Sequence, residues 1–240
     1  MLINKRTKYL QLNQFVSKLS YNKTQTMKLK FLSVALGIVL SATVMSANAQ
    51  KAFTEGVVTY KTNMRGQDVE IKQYFRSDSV ATTFAAGPAK IKLLADANYK
   101  FFAVVVDVSA FNVKKAAIYT PDEIDQVMNA FPTLTFAPGT ETKQISGFNC
   151  KKVVATDAKA NKTYDIWVTN DVSVPASAFP KYYAAAGGFP VQYTAFQQGQ
   201  STEVTVSSVT ADKAPAGTFG IPADFDKISK DDLTAMSGGR

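Results

Sequence analysis

The sequence predicts a mainly β (α+β) fold, a single curved antiparallel sheet forming an open, unclosed β-barrel with one or two helices covering its concave face. Three observations predict it. Apolar and polar residues alternate with period two through much of residues 50–240, the spacing that turns one face of a strand inward and the other to water. Only one helix is strongly marked, and it lies midway along the chain. Roughly ten strands with so little helix make one large sheet, and its concave face must be buried by closure or by a helical cover.

Taken in order, Gly56–Tyr60 opens the first strand. Val69, Ile71 and Phe75 then alternate with Glu70, Lys72 and Arg76 in a second. Val80, Thr82 and Phe84 mark a third, and Ile91–Leu94 a fourth after Gly87-Pro88. Phe101–Val106 is an unbroken apolar run, which suits a strand covered on both faces, and Phe111, Val113, Ala117 and Tyr119 continue the meander. Later strands are read at Lys143–Ile145, Cys150–Ala155, Tyr164–Val168, Val191–Phe196 and Glu203–Val209. Turn chemistry separates them at Ser146-Gly147, Asp157–Asn161, Asn170-Asp171 and Gly199.

The helix begins at Thr120-Pro121-Asp122-Glu123, with a hydroxyl N-cap, Pro at N1 and Glu at N3, a complete capping box. Ile124, Val127, Met128 and Phe131 form one apolar stripe, and Pro132 stops the helix. A weaker helical turn is read in Ser177–Ala186, and a short tail helix over Lys230–Met236.

The formal charge of +8 is concentrated at one end, since residues 1–49 hold seven basic side chains and no acidic one. The remainder is nearly balanced, which removes the footing for a nucleic-acid partner. From Met27 the chain reads as a secretory signal peptide: Lys28 and Lys30, an apolar core Phe31–Leu40, then Ala47-Asn48-Ala49 before Gln50. The expected domains are an upstream extension 1–26, a signal peptide 27–49 and a single open-barrel domain 50–240. Met27 is the natural start, a long n-region from Met1 being the alternative. Cleavage after Ala49 would deliver a periplasmic protein with no stable membrane span.

The chemistry to be placed is sparse. With no His, imidazole acid/base catalysis and His-bearing zinc sites are excluded. No cofactor, catalytic residue or metal site is predicted. The carboxylates Asp122-Glu123-Asp125, Asp224-Asp226 and Asp231-Asp232 read as helix-dipole partners or solvated charges. Cys150, the single cysteine, reads as a small apolar strand residue, with a reactive thiol or an intermolecular disulfide as alternatives. Trp167 either caps the core at the sheet's edge or lines a cavity or partner surface. The Tyr182–Pro190 segment reads as a flap over an opening or as a plain loop.

Ile145-Ser-Gly-Phe-Asn-Cys-Lys-Lys-Val153 followed by Tyr164-Asp-Ile-Trp-Val-Thr-Asn-Asp171, then Gly188-Phe-Pro190 and Phe219-Gly-Ile-Pro222, resembles an exported bacterial family known only as a domain of unknown function. The resemblance spans roughly Phe53–Ile228. That family is similar in fold to the lipoprotein carrier proteins of the Gram-negative periplasm, half barrels whose apolar concave surface is covered by helices. The resemblance implies a soluble, non-enzymatic periplasmic protein that holds a lipid, a lipoprotein acyl chain or another hydrophobic ligand. The alternative is an envelope structural or protein-interaction module whose barrel is filled by its own side chains, with an envelope protein as partner; a hydrolase ranks behind both. Alternation and aromatic size select Phe75, Phe84, Phe102 and Tyr193 on the sheet, with Met128 and Phe131 on the helix, as the candidate ligand-binding wall.

Overall fold

The computed structural model describes residues 50–64, 66–197 and 200–236; the leader, its cleavage after Ala49, the extension 1–26 and the Gly199 turn lie outside them. The described chain runs β1 (Lys51–Ala52), β2 (Gly56–Met64), β3 (Gln67–Phe75), β4 (Ser79–Ala86), β5 (Ala89–Asp96), β6 (Phe102–Val108) and β7 (Val113–Ile118). Helix α1 (Pro121–Asn129) follows, then β8 (Leu134–Ile145), β9 (Phe148–Asp157), β10 (Lys162–Thr169), β11 (Val172–Ser173), β12 (Phe189–Gln197) and β13 (Gln200–Thr210). The chain closes with β14 (Asp226–Ile228) and helix α2 (Lys230–Met236).

Twelve strands form one curved sheet that does not close into a barrel, in the order β14-β7-β6-β5-β4-β3-β2-β13-β12-β10-β9-β8. The pair β1-β11 stands apart and is parallel. Two meanders meet at the centre of the large sheet. One grows outward from β2 to β7; the other starts at the far edge with β8 and works inward until β13 pairs antiparallel with β2.

This order explains both the curvature and the position of α1. In a flat sheet β7 and β8 would lie about 48 Å apart at the usual strand spacing. The segment joining them contains a nine-residue helix and few extended residues, and it reaches at most about 40 Å. The sheet must therefore curl toward itself, and the connection must cross its concave side. Three register irregularities assist: between Val206 and Ser208, between Trp167 and Val168, and between Pro138 and Thr142. Bulges bend a strand and sharpen its twist.

The capping box forms as the sequence dictates. Thr120 Oγ1 accepts from Glu123 N (3.4 Å), and Glu123 Oε2 accepts from Thr120 N (2.8 Å). Hydrogen bonds from Thr120 hold the Glu123 carboxyl below its ordinary value. Replacing Thr120 by Ala is expected to cost about 1 kcal/mol, the usual price of a lost N-cap, and to speed amide exchange in α1 more than in β2 or β13; hydrogen–deuterium exchange checks it.

Alternation sorts each strand. On the convex side, Ala81, Leu94, Ala103, Val105 and Ala116 form a buried cluster with Tyr74 and Ile118. Phe219, Ile221 and Phe225 of the C-terminal segment pack onto it. That segment is tied down by Lys114–Asp224 and Lys115–Asp226 ion pairs, both 2.6 Å, and by Arg76 over the Phe219 ring at 4.5 Å. β6 is accordingly buried on its Ala103 and Val105 face, whereas Phe102, Val104 and Val106 on the other are half-buried, so the cover expected on both faces is complete on one. A second cluster fills one end of the curl, with Phe53, Val58, Phe75, Phe189, Val191 and Val206 at its centre. Gly56 belongs here by necessity: a Cβ at that position would collide with the Thr210 carbonyl and press on the Phe75 ring.

Candidate functional site

Above this plug the concave side encloses a cavity of about 1340 Å³. Its walls follow the period-two pattern: Tyr60, Thr62 and Met64 on β2, Val69, Ile71 and Gln73 on β3, Val80, Thr82 and Phe84 on β4. Leu93 and Ala95 on β5, Tyr193 and Ala195 on β12, and Thr202 and Val204 on β13 complete the sheet side. The lining runs out to exposed residues at hairpin tips, Gln67, Ala85–Gly87, Gln197 and Gln200, and these mark the mouth. The roof is the crossing connection, where Ile124, Val127, Met128 and Phe131 face inward. Ile124 is buried.

Of the six residues selected from sequence, Phe84, Phe102, Met128, Phe131 and Tyr193 line the cavity. Phe75 does not, and this corrects the expectation for it. It shares the parity of Val69, Ile71 and Gln73, but the cavity ends at Gln73. Phe75 lies one step deeper, 1 % exposed inside the plug. Alternation assigns a face and says nothing of depth along the strand.

The segment after β11 forms short 3₁₀ turns at Ala176–Ala178 and Lys181–Tyr183 and closes the cavity beside α1. It is pinned, not free. Tyr183 is fully buried and its hydroxyl donates to Thr194 O at 2.7 Å. Tyr182 Oη accepts from Phe196 N at 3.2 Å, and Tyr60 Oη donates to Ala178 O at 3.1 Å. A chain of rings links roof to sheet: Phe131–Tyr182 at 5.2 Å, Tyr182–Tyr183 at 4.9 Å, Tyr183–Tyr193 at 5.2 Å and Tyr60–Tyr193 at 6.5 Å. Edge and tilted contacts of this kind add to the apolar burial of each ring. Burial drives the phenols of Tyr60, Tyr183 and Tyr193 well up and that of Tyr182 to about 12, so these groups stay neutral in ordinary buffers.

The remaining chemistry lies elsewhere. Asp96 and Lys181 are the charged residues in the lining, among those described. Asp96 Oδ1 is occupied by Lys100 N and Phe101 N, at 2.6 and 3.0 Å, and Lys181 is exposed. Glu123 serves the capping box, Asp224 and Asp226 hold the C-terminal segment, and Asp232 caps α2 through Ser229. Among the described residues no three His, Cys, Asp or Glu side chains gather into a metal-binding group, and no helix is long and apolar enough to cross a membrane.

Trp167 is half-buried against the core, away from the cavity, with Lys143 Nζ 4.0 Å above its ring. Lys143 also donates to Gln192 at 2.9 Å. The indole therefore caps the core, and a lysine caps the indole. Cys150 is 1 % exposed and unpaired, and burial pushes its thiol up to about 11. Two outcomes follow. Iodoacetamide at pH 8 is expected to leave Cys150 unmodified in the folded protein and to alkylate it once urea unfolds the chain. Because the folded protein holds this proton more tightly than the unfolded chain, the contribution is intact below about pH 9 and disappears as pH rises toward 11. The buried phenols act in the same direction, so urea midpoints should fall between pH 8.5 and 10.5.

Sequence reasoning passed over Tyr60, Gln73 and Ser177, the polar groups at the cavity's inner end. A signal existed for one of them: Gln73 is a polar residue in phase with Val69 and Ile71.

No protein-family model matches the chain, and no curated protein matches it in sequence. Among solved structures the chain is similar to PNGF-II in two crystal forms. The C2 form gives a TM-score of 0.45 at 19 % identity over 76 % of this chain and 32 % of that one. The P21 form gives 0.45 at 16 % identity over 76 % and 33 %. The chain spans about a third of the length of the PNGF-II structures to which it is similar.

Proposed function

We propose that this chain is a non-enzymatic binding protein that holds a lipid-like or other hydrophobic molecule between sheet and helix, and that it works in the periplasm after export by the leader at residues 27–49. The observation that carries the reading is the cavity itself. At about 1340 Å³ it exceeds the usual 300–1,000 Å³ of small-molecule pockets, and its walls are mostly Phe, Tyr, Val, Leu, Ile, Met and Ala side chains. The interior is thus not packed by the protein's own residues, which favours a carrier over a self-filled scaffold. A guest that hides about 400 Å² of apolar surface gains about 10 kcal/mol from burial, enough to offset much of the cost of association. The engagement of Glu123, Asp224, Asp226 and Asp232 in caps and ion pairs, and the burial of Cys150, support the non-catalytic reading.

N-phenylnaphthylamine, whose fluorescence rises in apolar surroundings, tests it directly. The purified protein should give a saturable rise that a competing lipid reverses. A linear, unsaturable response would remove the reading.

A further inference from the structure

The turns at the two ends of the curl differ in character. Those far from the mouth are charged, with Arg76 and Asp78 between β3 and β4, and Asp96 and Lys100 at the β5–β6 turn. Strand register places the β4–β5 and β6–β7 turns side by side at the mouth. Ala86 pairs with Ala89 at the first tip, Lys90 pairs with Asp107 below it, and Val108 pairs with Val113 at the base of the second. No charged side chain occurs from Ala85 to Ala89 or from Val108 to Val113, and Ala85–Pro88 and Ser109–Asn112 are exposed.

Phe111 crowns the second tip. It is 72 % exposed, the most of any large apolar side chain among the described residues. The 3₁₀ turn Ser109–Phe111 that carries it is closed by Asn112 N, which donates to Ser109 O at 3.1 Å. Asn112 takes the left-handed conformation there, φ 54°, which asparagine tolerates better than most residues. Ser109 Oγ donates to Asp107 Oδ1 at 2.6 Å. The turn is thus tied from within and holds the ring out in water. A lone exposed apolar residue is ordinary, but this one stands on the rim of an apolar cavity, beside a second uncharged tip that belongs to the cavity lining.

Whatever covers these tips also faces the mouth. Two short turns fall far below the roughly 20–30 residues a side of a stable protein interface, and they carry no charge to fix the register of a protein partner. A bilayer needs neither, because apolar tips entering the boundary between headgroups and acyl chains gain from burial alone. A bilayer is also where a lipid guest resides. Resting on the carrier reading above, we infer that the β4–β5 and β6–β7 tips dock the cavity mouth on a lipid bilayer, with the Phe111 ring in the headgroup–acyl boundary, so that a guest passes between membrane and cavity without crossing open water.

The test is flotation of residues 50–240, which hold the whole described fold, with phosphatidylcholine vesicles in 0.15 M salt. These vesicles carry no net charge, so the partition reports apolar docking. Phe111→Ser is expected to lower the partition about tenfold, equivalent to about 1.4 kcal/mol. Phe101→Ser, at the opposite end and 38 % exposed in the parent, should leave it unchanged. Phe111→Trp should float as the parent does, and its added emission should shift to the blue on vesicles, as suits an indole at the interface. All three variants should bind N-phenylnaphthylamine in solution as the parent does, since neither position lines the cavity. A parent that does not float, a Phe111→Ser protein that floats as well as the parent, or an equal loss in Phe101→Ser overturns the docking and leaves the carrier reading standing. A parent that binds no naphthylamine overturns the carrier reading, and the delivery role of the tips falls with it whatever the vesicles show.

Discussion

Replacing Tyr183 by alanine is expected to lower the unfolding free energy by about 3–5 kcal/mol, the range for emptying a fully buried aromatic site. The side chain is 0 % exposed, packs its ring against Tyr182 and Tyr193, and donates to Thr194 O at 2.7 Å. Truncation removes the buried ring, opens a void beside an existing cavity, and leaves a carbonyl without its donor. The two contributions separate in Tyr183→Phe, which keeps the ring and loses only the hydroxyl. That variant should cost about 1 kcal/mol. Urea denaturation followed by Trp167 fluorescence measures both. If Tyr183→Ala costs no more than Tyr183→Phe, the segment from Ala176 to Ala186 is not the fixed cover described above.

Ala195→Trp is expected to have the largest effect on function. Ala195 lines the cavity from β12 opposite Thr202 on β13, so an indole there projects into the space a guest would use. Ligand affinity should drop about a hundredfold, equivalent to about 3 kcal/mol. Stability should change by less than about 1 kcal/mol, because the new ring enters open space and displaces no core side chain. A matching substitution on the convex face, Thr83→Trp, should leave binding untouched. Equal losses from the two substitutions would mean that the concave cavity is not where the ligand sits.

The architecture was readable where residues alternate. Val69, Ile71, Val80, Phe84 and Tyr193 announced their strands because one side of a half-buried strand must be apolar. Helix α1 is readable from its capping box, and α2 forms at the residues the sequence indicates. Three failures have physical causes. The sequence marks β8 only from Lys143, yet the strand begins at Leu134. Pro138-Gly139 has the composition of a turn, but in an edge strand a missing N–H costs little and the irregularity becomes a bulge. The Ser177–Ala186 helical turn splits into two 3₁₀ turns, divided at Pro180, which has no N–H to continue a helix. Strands β1, β11 and β14 contain two or three residues each, too few to show a period.

The site was half legible. Five of the six proposed wall residues border the cavity because face and parity are local properties. Phe75 falls in the plug because the boundary between plug and cavity is set by Phe53, Val191 and Val206 from distant parts of the chain. The same limit hides the cavity's inner end. Tyr60 and Ser177 are 117 residues apart in numbering and meet only through the curl of the sheet, with Tyr60 Oη reaching the neighbouring Ala178 O. That α1 is the roof follows from an edge-to-edge crossing, a fact of strand order that periodicity does not contain.

Native mass spectrometry of the protein purified from the cells that express it, without detergent, puts the hollow between sheet and helix to the plainest trial. The account predicts a polypeptide accompanied by discrete adducts of lipid mass, stripped by organic solvent and absent from Ala195→Trp. A bare polypeptide mass under conditions that preserve the fold, from protein that also takes up no added lipid, would contradict it.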